Sequence, residues 1–124
     1  MGTFKVAIQI GDPQGQRYES VEALGDTGAS DTVVPRLILE RLGVPAQGRW
    51  PFTLADERVV EHDIGQTAIR INGTSRIVPV VFGESDTTVL LGASSLEVFH
   101  LAADPVHKRL VAVTGLLMLA NSRS

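Results

Sequence analysis

One segment of the chain combines residue types that can do chemistry: Asp26-Thr27-Gly28, running on into Ala29-Ser30-Asp31-Thr32-Val33-Val34. A carboxylate in a tight loop can give or take a proton, and Gly28 lets that loop pack closely with no Cβ in the way. A triplet of these types arises by chance in about one chain in fifty of this length, and Asp, Thr and Gly are also ordinary turn formers. Its context separates it from a plain turn. Sixty-six residues after Asp26 stands Gly92, inside Val89-Leu90-Leu91-Gly92-Ala93-Ser94-Ser95-Leu96-Glu97.

Other chemistries are poorly supplied. The chain has no Cys, so disulfides, thiolate metal sites and cysteine nucleophiles are excluded. His62, His100 and His107 lack a metal-ligand spacing, and neither a metal nor a cofactor is expected. No Gly-x-Ser-x-Gly elbow occurs, and Gly11 to Gln16 lacks the Gly-Lys-Ser/Thr ending of a phosphate loop. With 11 basic and 14 acidic side chains the net charge is −3, and there is no basic run. Nucleic acid is therefore not an expected partner.

The elements that must position Asp26 read mostly as strands. Phe4, Val6, Ile8 and Ile10 alternate with Thr3, Lys5, Ala7 and Gln9, which predicts a strand with one buried face. Tyr18 to Leu24 follows as a second strand, after a turn at Gly11 to Gln16, and Gly25 to Ser30 reads as a small-residue loop. Pro35 opens a short helix ending near Leu42, with Leu37, Ile38 and Leu42 as its apolar face. Trp50 to Val60 reads as a hairpin turning at Ala55-Asp56-Glu57-Arg58, with Trp50 a packing residue and His62-Asp63 a surface pair. Thr67 to Ile71 and Ile77 to Phe82 flank Asn72-Gly73, a strong hairpin signal because both residues tolerate positive φ. Pro79 cannot donate to a ladder, so that strand needs an unpaired or bulged side there. Val89 to Leu91 is a short strand and Ser94 to Phe99 a turn or two of helix. Arg109 to Val113 and Leu116 to Leu119 read as closing strands, hinged at Gly115.

The triplet, the mid-chain hairpin and the apolar-apolar-Gly segment leading into a short helix together resemble the aspartic peptidases of the retroviral type, including their small prokaryotic relatives. The resemblance runs from about Phe4 to Met118. It implies a mostly β, closed acid-protease barrel with one or two short helices and one lobe per chain. It also implies an activity, the hydrolysis of peptide bonds by a water held between two carboxylates. Two carboxylates about 3 Å apart cannot both ionise, so they share a proton. The chain has a single Asp-Thr-Gly, and a C2 homodimer would bring Asp26 next to Asp26 of the partner. By resemblance Thr27 bonds across to the partner's loop, and the apolar Leu116 to Leu119 serves as an interface strand, though an ordinary core strand fits it too.

The same resemblance places the backbone of Gly28, Ala29 and Ser30 along an extended peptide, bound as an added strand. Leu24, Val33 and Leu90 would line apolar subsites, and Ala55 and Asp56 would sit at the tip of a flap closing over substrate. Ala29 stands where a Ser could hold the carboxylate ionised, which predicts a weakly acidic to near-neutral optimum. Two features depart from the viral pattern. Ser30 and Ala93 replace an acidic residue and an Arg that brace the viral dimer, and Gly25 replaces an apolar residue before Asp26, loosening its support. An alternative from another class is a peptide-binding or dimerisation module of the same fold without turnover.

The length of 124 residues predicts one domain, residues 1–124. The alternating N-terminus lacks the apolar run of a secretion signal. The most apolar stretch, Leu110 to Ala120, is only 11 residues, against the ~20 that a membrane helix needs. A soluble, cytoplasmic protein without a membrane partner is expected.

Overall fold

The computed structural model describes residues 3–26 and 28–114. Thr27 and the expected closing strand Leu116 to Leu119 lie outside them. The chain order is β1 (Thr3–Gly11), β2 (Tyr18–Asp26), β3 (Val33–Pro35), α1 (Arg36–Arg41), β4 (Gly48–Thr53), β5 (Val59–Ile71), β6 (Thr74–Gly83), β7 (Val89–Leu91), α2 (Ala93–Val98), β8 (Leu101–Asp104) and β9 (Arg109–Ala112).

Alternation builds the sheet as expected. Phe4, Ile8 and Ile10 of β1 are buried while Thr3, Lys5 and Ala7 face water. β1 pairs antiparallel with all of β2, from Thr3 opposite Asp26 to Gly11 opposite Tyr18. The turn between them is fastened by Asp12, whose Oδ1 accepts the Gln16 and Arg17 amides at 2.7 and 2.9 Å. Those amides, Arg17 first, hold the Asp12 carboxyl below its usual range. Asn72 and Gly73 turn β5 into β6 with φ of 52° and 82°, the positive-φ turn that matches strand twist.

The strand order is β1-β2-β7-β3-β6-β5, and β5 returns to pair with β1 at Ile69 and Arg70, closing the ring. Inside it pack Ile10, Ala23, Val34, Leu39, Ile69, Val78 and Leu91, all fully or nearly fully buried. The closing contact is short, two residue pairs at the end of β1. β8 and β9 form a separate hairpin laid against the core through Leu101, Ala103 and Leu110. Among the described residues no helix is long and apolar enough to cross a membrane.

Four expectations shift. Thr67 to Ile71 is not a separate strand: β5 is continuous over thirteen residues, its first half paired with β4 and its second with β6. The polar residues between Val60 and Thr67 belong to a strand whose faces are covered differently along its length, so no single alternation runs through it. Gly25 and Asp26 complete β2 and are not loop. Pro35 ends β3 in extended backbone and caps α1, which starts at Arg36. Within α1 the buried side chain is Leu39, with Leu42 just beyond the helix, while Leu37 is 52% exposed. Three consecutive apolar residues in a one-turn helix give no periodic contrast to choose between them. Pro79 sits where the missing donor costs nothing. Val81 donates to the Thr32 carbonyl, and Pro79, two residues earlier on the same edge, precedes the start of the β3 pairing.

Candidate active site

Asp26 ends β2, half-buried, where the chain leaves the sheet. Its Oδ1 accepts the Gly28 amide at 2.8 Å and its carbonyl accepts the Ala29 amide at 3.1 Å. The loop therefore folds back on the carboxylate immediately. It then lies on the start of α2. The Ala29 carbonyl accepts the Ala93 amide and the Ser30 carbonyl the Ser94 amide, each at 3.0 Å. A helix start leaves orphan amides. α2 has no side-chain cap, and the Asp26 loop supplies the acceptors.

β7 runs between the two strands that flank this loop. It pairs parallel with β2 (Leu24 opposite Leu90, Gly25 opposite Leu91) and antiparallel with β3 at Val33 opposite Leu90. Leu24, Leu90 and Val33, expected as subsite residues, thus form one row across three strands, all half-buried. Leu24 and Asp26 are two apart on β2 and share a face.

Two buried hydroxyls that sequence reading overlooked tie the crossing together. Thr32 Oγ1 accepts the Gly92 amide at 3.0 Å and lies 2.5 Å from Ser95 Oγ. Thr32 is 1% and Ser95 0% exposed. A Thr six residues after the Asp and a Ser three after the Gly were available as a signal, but polar residues among small ones read as loop. Gly92 meets the same loop so closely that a Cβ there would lie 2.5 Å from the Asp31 carbonyl oxygen.

Gly25 does not loosen the site. It is a buried ladder residue, and a Cβ on it would lie 3.1 Å from the Phe4 ring. The cross-strand neighbour Phe4 fills the space that an apolar side chain before the Asp would take. Ser30 is exposed and donates to Asp31 Oδ2 at 3.2 Å.

Above the loop stands the β4–β5 arm, and a cleft of about 570 Å³ separates them, lined by Ser30, Asp31 and Thr32 below and by Trp50, Phe52 and Ile64 on the arm. Trp50, Phe52 and Ile64 share one face of the paired strands. Trp50 is 60% exposed and faces this cleft; it is not a core-packing residue. The arm's other face is charged. Arg49 meets Glu61 and Asp63 at 3.3 and 3.1 Å, and Arg36 of α1 meets Asp63 at 2.5 Å. Arg36, then Arg49, holds the Asp63 carboxyl below its usual range. Asp63 is thus more than a surface residue: it anchors the arm to α1. At the tip, Ala55, Asp56, Glu57 and Arg58 are all exposed. Asp56 bonds back to the Arg58 side chain at 2.7 Å, which lowers its pKa. The tip does not line the cleft.

Residues 15–98 match the family described as "gag-polyprotein putative aspartyl protease", a span of more than half the chain. Among curated proteins none matches. Among solved structures, the solution structure of the simian foamy virus (mac) protease aligns with a TM-score of 0.55 at 18% identity, covering 77% of this chain and 93% of that one. At that identity the likeness concerns the fold, a retropepsin-like barrel, and it agrees with the ring closure and the β7 crossing seen here. The chain belongs to the gag-polyprotein aspartyl protease family.

Proposed function

We propose that the protein is an aspartic endopeptidase that works as a homodimer, with Asp26 of each protomer supplying one of two carboxylates. The observation that carries this reading is the placement of Asp26. It closes β2 beside the β7 crossing, its Oδ1 is fixed by the Gly28 amide at 2.8 Å, and it shares a face with Leu24 in an apolar row. Only one Asp-Thr-Gly is present, so the second carboxylate comes from a second copy.

In the reaction the ionised carboxylate takes a proton from a water whose oxygen attacks the scissile carbonyl carbon. The protonated carboxyl donates to the carbonyl oxygen. Collapse of the tetrahedral diol breaks the C–N bond as a proton moves to the leaving nitrogen. Thr27 and Gly28 would hold the two loops together. Leu24, Val33 and Leu90 would contact substrate side chains, and Gly28, Ala29 and Ser30 its main chain. Ala55 and Asp56 would approach substrate only if the arm bends toward the loop.

The test is cleavage of a complex peptide library by the wild type and by Asp26→Asn, from about pH 3.5 to 7.5, with new termini read by mass spectrometry and the dimer confirmed by mass in solution. Cuts seen with the wild type alone support the reading. A folded, dimeric wild type that makes none points to a peptide-binding module of the same fold.

A further inference from the structure

A second cavity opens on the Asp26 side of the barrel. It measures about 440 Å³ and is lined by Thr3, Phe4, Lys5, Leu24 and Lys108. Three of these belong to the face that carries Asp26. Thr3 lies directly opposite Asp26, and Lys5 directly opposite Leu24. Leu24 and Asp26 are two residues apart on one strand, about 6.6 Å, the distance an extended peptide also covers in two residues. A peptide laid past Asp26 therefore reaches this cavity within two or three residues of the bond at Asp26.

The cavity is chemically two-sided. Leu24, half-buried, gives it an apolar wall, while the Phe4 ring lies on the opposite face of the ladder, over Gly25. The rim holds two ammonium groups. Lys5 has one exposed partner, Glu22 at 3.7 Å, a separation and exposure at which an ion pair holds its side chains loosely. Lys108 enters no ion pair among the described residues. It stands at the tip of the β8–β9 hairpin with φ of 54°, where Gly or Asn would sit without strain. The turn beneath it is built by Asp104, which accepts the Val106 and His107 amides at 3.2 and 3.3 Å. Both lysines lie outside residues 15–98, the span matched to the family.

We infer that this cavity, with Lys108 and Lys5 at its rim, is a subsite selecting an acidic side chain, Glu or Asp, within three residues of the scissile bond. The methylenes of such a side chain rest on Leu24 and on the stem of Lys5 opposite it, and its carboxylate meets the ammonium groups. The inference rests on the peptidase reading of Asp26. It is tested with matched peptides carrying Glu or Gln at each position within three residues of a cut. Wild type, Lys108→Gly and Lys108→Glu are compared in low salt. Glycine accepts the left-handed backbone, so the first variant keeps the hairpin.

The wild type should favour Glu over Gln by about fivefold in kcat/KM at one position, an effect typical of a partly exposed ion pair. Lys108→Gly should lose most of that preference and Lys108→Glu should invert it, read as the ratio of kcat/KM for the Glu and Gln peptides. A wild type that cuts without charge preference, or variants that keep it, overturns the subsite and leaves the Asp26 reading standing. If the wild type cuts nothing, the peptidase reading fails, and anisotropy of labelled Glu and Gln peptides decides the cavity: equal affinities overturn it, and a Glu preference lost in Lys108→Gly sustains it as a binding site.

Discussion

The loop beneath the cleft and the arm above it are held by different forces. The loop is fastened by main-chain bonds to α2 and by a buried hydroxyl pair, with Thr32 and Ser95 sealed from water. The arm has one exposed apolar face and is tied down on the other by Arg36, Arg49, Glu61 and Asp63. Buried neutral hydrogen bonds are indifferent to salt and expensive to leave unmade. Exposed ion pairs are weak, and salt screens them. The floor is therefore held by bonds that salt leaves alone, and the arm by bonds that salt weakens.

The largest effect should come from Gly92→Ala. The new Cβ would stand 2.5 Å from the Asp31 carbonyl oxygen, with backbone and no flexible side chain in its way. Overpacking of that kind costs about 3 kcal/mol, read as a lower urea midpoint at unchanged slope. A midpoint within error of the wild type would show that the crossing yields, and the contrast between floor and arm would lose its basis.

Thr32→Val comes next. The shape is kept, but the Gly92 amide loses its acceptor and Ser95 its partner, both buried. One stranded group of this sort costs about 2 kcal/mol. Ser95→Ala should cost less, because Thr32 still accepts from Gly92. A double-mutant cycle should give a coupling of about 1 kcal/mol between the two hydroxyls. Additive costs would mean that each acts alone.

These two regions also divide what could be read from sequence. The barrel was legible because β1, β2 and β6 alternate or turn where their residues say they must. The row Leu24, Leu90 and Val33 was reachable only through the family resemblance, since no local pattern places three distant strands side by side. Thr32 and Ser95 were missed because a hydroxyl in a small-residue segment looks the same buried or exposed until its partner, sixty-three residues away, is known. Gly25 was misread for a related reason: the group that fills its space, Phe4, lies on another strand. Trp50 reads as a packing residue because nothing local says that its face of β4 borders a cleft, and the long β5 reads as two segments because its halves are covered by different neighbours. What sequence carries locally is period and turn chemistry. What it hides is which distant group fills each gap.

The smallest effect, and the one that sharpens the contrast most, lies in the arm. Arg36 first, and then Arg49, lowers the pKa of Asp63 in the folded protein. A carboxylate depressed on folding adds stability above its unfolded pKa of about 4, and that contribution fades as pH falls through the lower folded value. The wild type should thus lose part of the arm's anchorage below about pH 4, while Asp63→Asn, already without that charge, should lose less on the same path. Amide exchange of β4 and of the first half of β5, compared at pH 6 and near pH 3.5 after correction for intrinsic rates, reads this directly. In the wild type the arm should open more readily at the lower pH, and in Asp63→Asn the difference should shrink to what Glu61 and Asp56 contribute. The amides of Ala93 and Ser94, bonded to the Asp26 loop, should stay unchanged in either protein. Equal acid sensitivity of arm and loop would mean that one cooperative unit holds both, and that the arm has no separate hold to release.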